Sequence, residues 1–379
     1  MDFASITPLV CAGWWALSLA LLAGSTVAAL IAPLRRRERG GGGPPPVSVI
    51  VPVKEASPEA ASGLVSLFSQ SYPDFEVLVS ATETSPAIAQ AQAIAARFPN
   101  IPARLIARDP HAAENPKINN LALPIAESSH DVIAIKDSNI LLPPDRLTEM
   151  VSNFTGDIGL VVSVPVGAAP QNFSGAIECA AMNGYVARFL LAASTVGLGF
   201  GIGATMMFSR RDFERAGGIA RIARATGEDH AISKMLAAIG RRTLIAGDVK
   251  QTIGKRRFLD FWNRQVRWAV CRRVEAPAIF YAELFVSAFF AALAGAAGAG
   301  VMGLSAGATF AGTIAVFILT DHLLAMPKGW PLSWRSPFAV LCFIALFPLI
   351  WLRARFARRV IWGGVAFTIK RSAPPEPAS

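Results

Sequence analysis

The chain has 379 residues, of which 53% are hydrophobic and 16% charged, and its mean hydropathy is +0.44; that composition excludes an ordinary soluble protein and points to a membrane protein. The net charge of +10 is concentrated beside apolar stretches, in RRRER at 35–39, KRR at 255–257 and RARFARR at 353–359. Such placement fits anionic headgroups and the positive-inside rule, and argues against nucleic acid, for which basic and aromatic residues would interleave on a soluble face.

Ile6 to Ile31 is apolar for 26 residues, enough to cross a bilayer with some tilt. The basic block follows this segment where a signal peptide would have it first, so it reads as an anchor over residues 1–34, with its C-terminal end cytoplasmic beside Arg35, Arg36, Arg37 and Arg39. Residues 35–46 form a basic linker ending in GGGGPPP. From residue 47 to 254 strands and helices alternate. Val47–Val53, Glu76–Ser80, Ala103–Ala107 and Val132–Ile135 read as strands, and Ala60–Gln70, Pro86–Phe98 and Lys117–Glu127 as helices. The alternation predicts an α/β domain with a mostly parallel sheet and helices on both sides.

The stretch DVIAIKDSN, residues 131–139, stops an apolar strand at a polar cluster, which puts Asp137 at a strand's carboxyl end. In open α/β sheets ligands bind along that edge, although a surface turn held by an Asx hydrogen bond has the same signature. Beyond it, Leu160–Pro165 reads as a strand, Ser174–Ala193 as a helix, and Gly197–Gly203 as a glycine-rich turn leading into Ala204–Ser209. The run GFGIGA within that turn can be forced onto a dinucleotide pattern, but no βαβ unit frames it; its glycines let backbone approach a ligand or another strand closely.

Lys255–Arg273 reads as a basic helix within residues 255–276, with Phe258, Phe261, Trp262, Val266 and Ala269 on one side and Arg264, Arg267 and Trp268 on a neighbouring one. It suits either the membrane interface or packing on the sheet. Residues 277–360 hold three apolar segments. Phe280–Met302 and Ala306–Met326 are long enough to span, with a GxxxG at Gly303–Gly307 suited to close helix contact. Phe338–Leu352 has only 15 residues. Three spans starting inside would end outside, yet Arg353, Arg355, Arg358 and Arg359 argue for inside, so a re-entrant or interfacial third segment is expected. Asp321 and His322 are expensive within an apolar segment, and pairing with each other or a place near the interface would explain them. The tail, residues 361–379, ends in the disordered-type run APPEPAS. Cys11, Cys179, Cys271 and Cys342 have neither a disulfide framework nor zinc spacing.

Five motifs in order, VSVIVPVKE, NPKINNL at 115–121, DSNI at 137–140, GEDH at 227–230 and RQVRW at 264–268, resemble the inverting family-2-type glycosyltransferases. The resemblance is nearest to the ceramide glucosyltransferase branch, with bacterial hopanoid-linked enzymes close by. It implies a GT-A-like domain that moves a hexose, glucose from UDP-glucose first among the donors, to a lipid hydroxyl, with ceramide the first acceptor and a hopanoid or other lipid the second. A divalent cation, magnesium or manganese, is implied with Asp137 and Asn139 as ligands, Asn139 standing where many relatives have a second acid. Lys117 and Asn120 share a face at a helix start and are expected at the nucleotide. The resemblance gives Asp229 the role of general base and Glu228 that of orienting it or contacting the acceptor, although acidic residues there also suit a helix start; His230 fits a local hydrogen-bonding role. Arg264 and Arg267 match diphosphate-gripping positions, and Trp268 a place stacked against sugar or lining the acceptor channel.

One departure stands out. The family has an aspartate near residues 81–85, where this chain has ATETS with Glu83 as the one acid. Glu83 reaches the nucleoside with an extra methylene, or nucleotide recognition has changed, or the chain is a silent family member that binds nucleotide sugar or lipid without transfer. Richness in Ala, Arg and Gly points to a high-GC bacterium, hence an inner-membrane protein with its catalytic domain in the cytoplasm.

Overall fold

The computed structural model describes residues 3–32, 43–108, 111–113, 115–225, 227–362 and 365–368. The arginines of the first basic block and the tail motif APPEPAS lie outside these residues. The chain divides into two compact units, one made of Met1–Ile31, Gly167–Ala192 and Gly254–Arg371, the other of Ala32–Val166, Ala193–Ile253 and Ser372–Ser379.

The second unit is built on a sheet of eight strands: β1 (Val47–Pro52), β2 (Phe75–Ala81), β3 (Ala103–Ala107), β4 (Val132–Lys136), β5 (Ile140–Leu141), β6 (Ile158–Pro170), β7 (Thr205–Ser209) and β8 (Arg242–Gly254), in the order β3-β2-β1-β4-β7-β6-β8-β5. The first four are mutually parallel, as the alternation of strand and helix requires. β7 then pairs antiparallel with both β4 and β6, and β5 pairs antiparallel with β8, so the sheet is mixed. The parallel strands carry Val, Ile and Leu with almost no exposed position in β1, β2 and β4, as expected of strands covered on both faces.

Helix starts follow local chemistry. Ser57 Oγ accepts from Ala60 N at 3.0 Å to open Pro58–Phe68, and Asn115 Oδ1 accepts from Lys117 N at 2.9 Å to open Pro116–Glu127; in both, proline at the first helical position has no N–H to leave unpaired. The sequence pattern located the strand at Leu160–Pro165 but not its full length, nor β5, which has only two residues, nor β8, whose alternation is broken by Gly247 and by charged residues.

The other unit is helical. Among the described residues, three helices are long and apolar enough to cross a membrane, Ile6–Ile31, Ala306–Ala325 and Ser336–Phe356, or four if the bent pair Pro277–Val286 and Ala288–Met302 is one span. The expected segment Phe280–Met302 is thus broken, with a bend of 50°. The expected helix Ser174–Ala193 runs from Phe173 to Thr195 through a π-helical stretch at Ala181–Ala187. The segment Gly167–Ala192, grouped with the sheet by sequence, belongs to this helical unit because Ala176, Ile177 and Ala181 share an apolar cluster with Phe261, Ala339 and Phe343.

Close helix approach occurs at other glycines than expected. A Cβ on Gly295 would stand 2.6 Å from Trp15 Cδ1, and one on Gly298 2.6 Å from Ala12 N. Gly303 instead takes a left-handed cap conformation with φ of 67°, and neither it nor Gly307 has a neighbour within 4 Å of an added Cβ. Asp321 pairs with Arg188 at 3.2 Å, and His322, whose Nδ1 lies 2.7 Å from Ile318 O, adds its own electrostatic attraction to that carboxylate.

Candidate active site

β1 and β4 are adjacent and parallel, with β2 and β3 on the far side of β1 and the rest of the sheet beyond β4. The chain order reverses between these two strands, and the crevice at their carboxyl ends is where such sheets bind ligands. Asp137 follows directly on β4. Its turn is held on two sides. Asp137 N donates to Ala204 O at 3.0 Å, and Gly63 brings the helix Pro58–Phe68 so near that an added Cβ would lie 1.9 Å from Ser138 O. Beneath it sits Lys136, which the sequence reading did not single out. Its side chain is fully buried and donates from Nζ to Asp137 O at 3.1 Å. Burial pulls this ammonium down to about 7, against the opposing pull of Asp137.

Lys117, in the first turn of Pro116–Glu127, joins two acids. Its Nζ lies 2.5 Å from Asp137 Oδ1 and 2.5 Å from Glu228 Oε1. Burial disfavours its charge, but the two carboxylates reverse the balance and hold it well above the ordinary lysine value. Glu228 is buried and its carboxyl is raised by that burial, with Lys117 pulling the other way. Asp229 is next to it in the first turn of Glu228–Ala238, where Oδ1 accepts from His230 N at 2.8 Å. The acids therefore do suit a helix start, as the sequence indicated, and they also face the strand-end crevice.

The glycine-rich turn explains how they fit. A Cβ on Gly199 would lie 1.9 Å from Thr243 O, and one on Gly201 1.9 Å from Asp229 O. One on Gly203 would lie 3.0 Å from Glu228 Oε1, 3.3 Å from Asp229 Oδ2 and 3.3 Å from Lys117 Nζ. At Gly199 and Gly201 only glycine permits this approach to backbone, and at Gly203 a side chain would crowd the charged groups, so the turn serves the close contact inferred for it and no dinucleotide motif.

Asn139, expected as a metal ligand beside Asp137, also has a structural task. Its Nδ2 donates to Thr252 O at 3.1 Å and its Oδ1 accepts from Gln251 Nε2 at 3.1 Å, so the amide fastens the strand-end turn to β8. Asn120 lies on the helix of Lys117, half-buried, and Glu83 is exposed in the turn after β2. A divalent cation bound with a diphosphate needs one or two protein carboxylates, the rest of its shell coming from phosphate and water. Among the described residues no three His, Cys, Asp or Glu are grouped to hold a metal. Asp137, with its side chain 31% exposed and one oxygen on Lys117, fits the single-carboxylate mode.

The remaining expected residues belong to the helical unit. Arg264, Arg267 and Trp268 lie on Phe258–Glu275, with Arg264 stacked 4.6 Å over the Trp268 ring. Arg264 Nη1 donates to Glu178 Oε1 at 2.6 Å, and Arg256 Nε lies 2.7 Å from Glu178 Oε2. Glu178 is fully buried and was missed by sequence reasoning, although a lone acid in the apolar helix FSGAIECA was a visible signal.

The sequence profile of glycosyl transferase family 21 matches residues 14–373. Ceramide glucosyltransferase 1 of Caenorhabditis elegans is 25% identical over 333 residues, covering 85% of this chain and 71% of the relative. The ceramide glucosyltransferase of Komagataella phaffii is 34% identical over 110 residues, 28% of this chain and 22% of the relative. Among solved structures, the mannosyltransferase PcManGT from Pyrobaculum calidifontis, in complex with GDP-Man and Mn2+, aligns with a TM-score of 0.50 at 19% identity, covering 90% of this chain and 99% of that one. The structural likeness concerns the fold, that of GT-A glycosyltransferases.

Proposed function

The chain belongs to glycosyl transferase family 21, and from that premise we propose that it is an integral membrane enzyme transferring a hexose with inversion from a nucleotide sugar to a lipid hydroxyl. UDP-glucose is the first donor to test and ceramide the first acceptor, since relatives named ceramide glucosyltransferase match 85% and 28% of the chain. The observation that carries the reading is the convergence of Asp137, Lys117, Glu228 and Asp229 around Gly203 at the strand-end crevice.

Asp229 takes the proton of the acceptor hydroxyl as that oxygen attacks the anomeric carbon from the face opposite the leaving diphosphate. Glu228, held by Lys117, fixes the helix start that presents Asp229. Lys117 and Asn120 face the nucleotide. A divalent cation, Mg2+ or Mn2+, would be held by Asp137 and would neutralise the leaving diphosphate. Asn139 holds the turn that carries Asp137. Arg264 and Arg267 supply guanidinium groups for diphosphate and Trp268 an aromatic face for the acceptor, with Glu178 orienting Arg264.

A second reading is kept because Glu83 replaces the family's aspartate and Lys117 already neutralises Asp137: a silent member that binds nucleotide sugar or lipid without transfer. A hopanoid or other lipid is the alternative acceptor, and the bacterial inner membrane with a cytoplasmic catalytic unit is the proposed setting. Membranes containing the protein, supplied with labelled UDP-sugars and lipid extracts, distinguish these readings. Transfer is expected for the native chain, and Asp229→Asn should lower it by roughly 10²–10⁴-fold while nucleotide-sugar binding persists. Transfer that survives Asp229→Asn removes the base assignment, and no transfer with any donor selects the silent reading. Comparing the lipids of a deletion strain with those of its parent identifies the acceptor.

A further inference from the structure

The apolar helix Ser336–Phe356 has 21 residues and is long enough to cross a bilayer, so length no longer argues for the in-plane placement that its 15-residue apolar stretch suggested. Its neighbours do. Asn172 Nδ2 donates to Arg256 O at 2.8 Å, just ahead of the helix Phe258–Glu275, and Asn172 shares an open groove with Trp334 and Phe338 at the start of Ser336–Phe356. Midway, Gln265 and Ala269 line one cavity with Phe343 and Phe347. At the far end Arg273 donates to Arg355 O at 2.5 Å and to Ala357 O at 2.7 Å. The contacts advance in step, so the two helices run side by side in the same direction for about 25 Å at 1.5 Å per residue.

The companion helix carries Asp260, Arg264, Arg267, Arg272, Arg273 and Glu275. Six charged positions distributed along its length make it unfit to traverse the hydrocarbon layer. A helix bound to it end to end shares its orientation. We infer that Ser336–Phe356 does not span the membrane but lies in the headgroup–acyl boundary of one leaflet, an embedded rail that docks this unit on an anionic lipid surface.

The face left uncovered agrees. Phe338, Leu341, Ala345, Leu349, Leu352 and Phe356 are all exposed and fall three or four apart, forming one straight apolar stripe from end to end. The opposite positions Ala339, Phe343, Phe347, Ile350 and Ala354 are buried. Exposed Trp334 at one end, with Arg335 5.3 Å from its ring, provides an interfacial anchor. Exposed Arg353, Arg355, Arg358 and Arg359 at the other end match anionic headgroups. With the bent pair Pro277–Val286 and Ala288–Met302 counted as one span, the placement also removes the parity conflict, because both ends of the helix then lie on the side favoured by these arginines.

The test is the sidedness of the two ends. In a variant lacking the four native cysteines, single cysteines at Ser333 and Thr368 are probed with a membrane-impermeant maleimide in sealed vesicles of known orientation. Labelling of both from the same side is expected; labelling from opposite sides overturns the inference. Should the cysteine-free chain not accumulate, epitope tags inserted between Leu332 and Ser333 and appended after Ser379 in the native background read the same topology by antibody access before and after permeabilisation. Depth-dependent quenching of a fluorophore at Leu341→Cys, Leu349→Cys and Leu352→Cys gives a second readout. One common depth supports the in-plane helix, and a steady progression along the helix refutes it.

Discussion

Replacing Lys117 with methionine removes the ammonium that Asp137 and Glu228 share while keeping a side chain of similar length. Both carboxylate oxygens lie 2.5 Å from Nζ, so they are at most about 5 Å apart, and at an effective dielectric of about 20 two unit charges at that separation repel by about 3 kcal/mol. Lys117→Met should therefore destabilise the fold by about 3 kcal/mol near neutral pH, unless one acid takes up a proton. Glu228 is the acid to do so, because burial already raises its pKa and the opposing pull of Lys117 is gone. A carboxyl whose folded pKa exceeds its unfolded value favours the fold most below the unfolded pKa, and that contribution is lost as pH rises through the folded one. The variant's deficit should accordingly be small around pH 4, near the ordinary carboxyl value, and grow as pH rises above it. Thermal and denaturant unfolding of the detergent-solubilised protein measures it, with Glu228→Gln added to the same background to remove the repulsion. Lys117→Met within about 0.5 kcal/mol of the native chain at about pH 8, or no recovery on adding Glu228→Gln, would refute the shared-cation argument.

Three other outcomes are expected. Glu178→Gln withdraws a fully buried charge from Arg256 and Arg264 and should lower stability by about 3 kcal/mol, measured by unfolding, with a parallel rise in KM for the nucleotide sugar if Arg264 touches it. Gly201→Ala forces apart backbone that an added Cβ would approach to 1.9 Å at Asp229 O. It should cost about 1–3 kcal/mol and lower kcat in a transfer assay more than it raises KM. Chelation of divalent cations should stop transfer and added Mn2+ or Mg2+ restore it, while Asp137→Asn should weaken metal affinity by roughly 10–100-fold, read from the metal concentration that half-restores activity.

What could be read directly from the sequence was whatever depends on neighbours along the chain. The run VIAIK followed by DSN announces a buried strand and a polar end, because a strand covered on both faces must be apolar and its carboxyl edge can be wet. PKINN and GEDH announce helix starts through proline and acidic residues suited to first turns. The anchor and the later apolar segments follow from bilayer thickness alone. The family resemblance ordered these pieces into a site, and the fold brings Asp137, Lys117, Glu228 and Asp229 to one place.

Only tertiary structure decided the pairings. Lys117 meets Glu228, and Glu178 meets Arg264 across a separation of 86 residues; no local rule assigns either partner. The same holds for Asn139, a plausible metal ligand by position that is bound to Gln251 and Thr252, and for Gly303–Gly307, a packing motif by spacing whose work is done at Gly295 and Gly298. It holds again for Ser336–Phe356, whose length permits a span and whose charged companion forbids one. Periodicity and charge specify what each segment can bury, because those are properties of the segment; which carboxylate meets which cation depends on the packing of surfaces that meet only when the chain has folded.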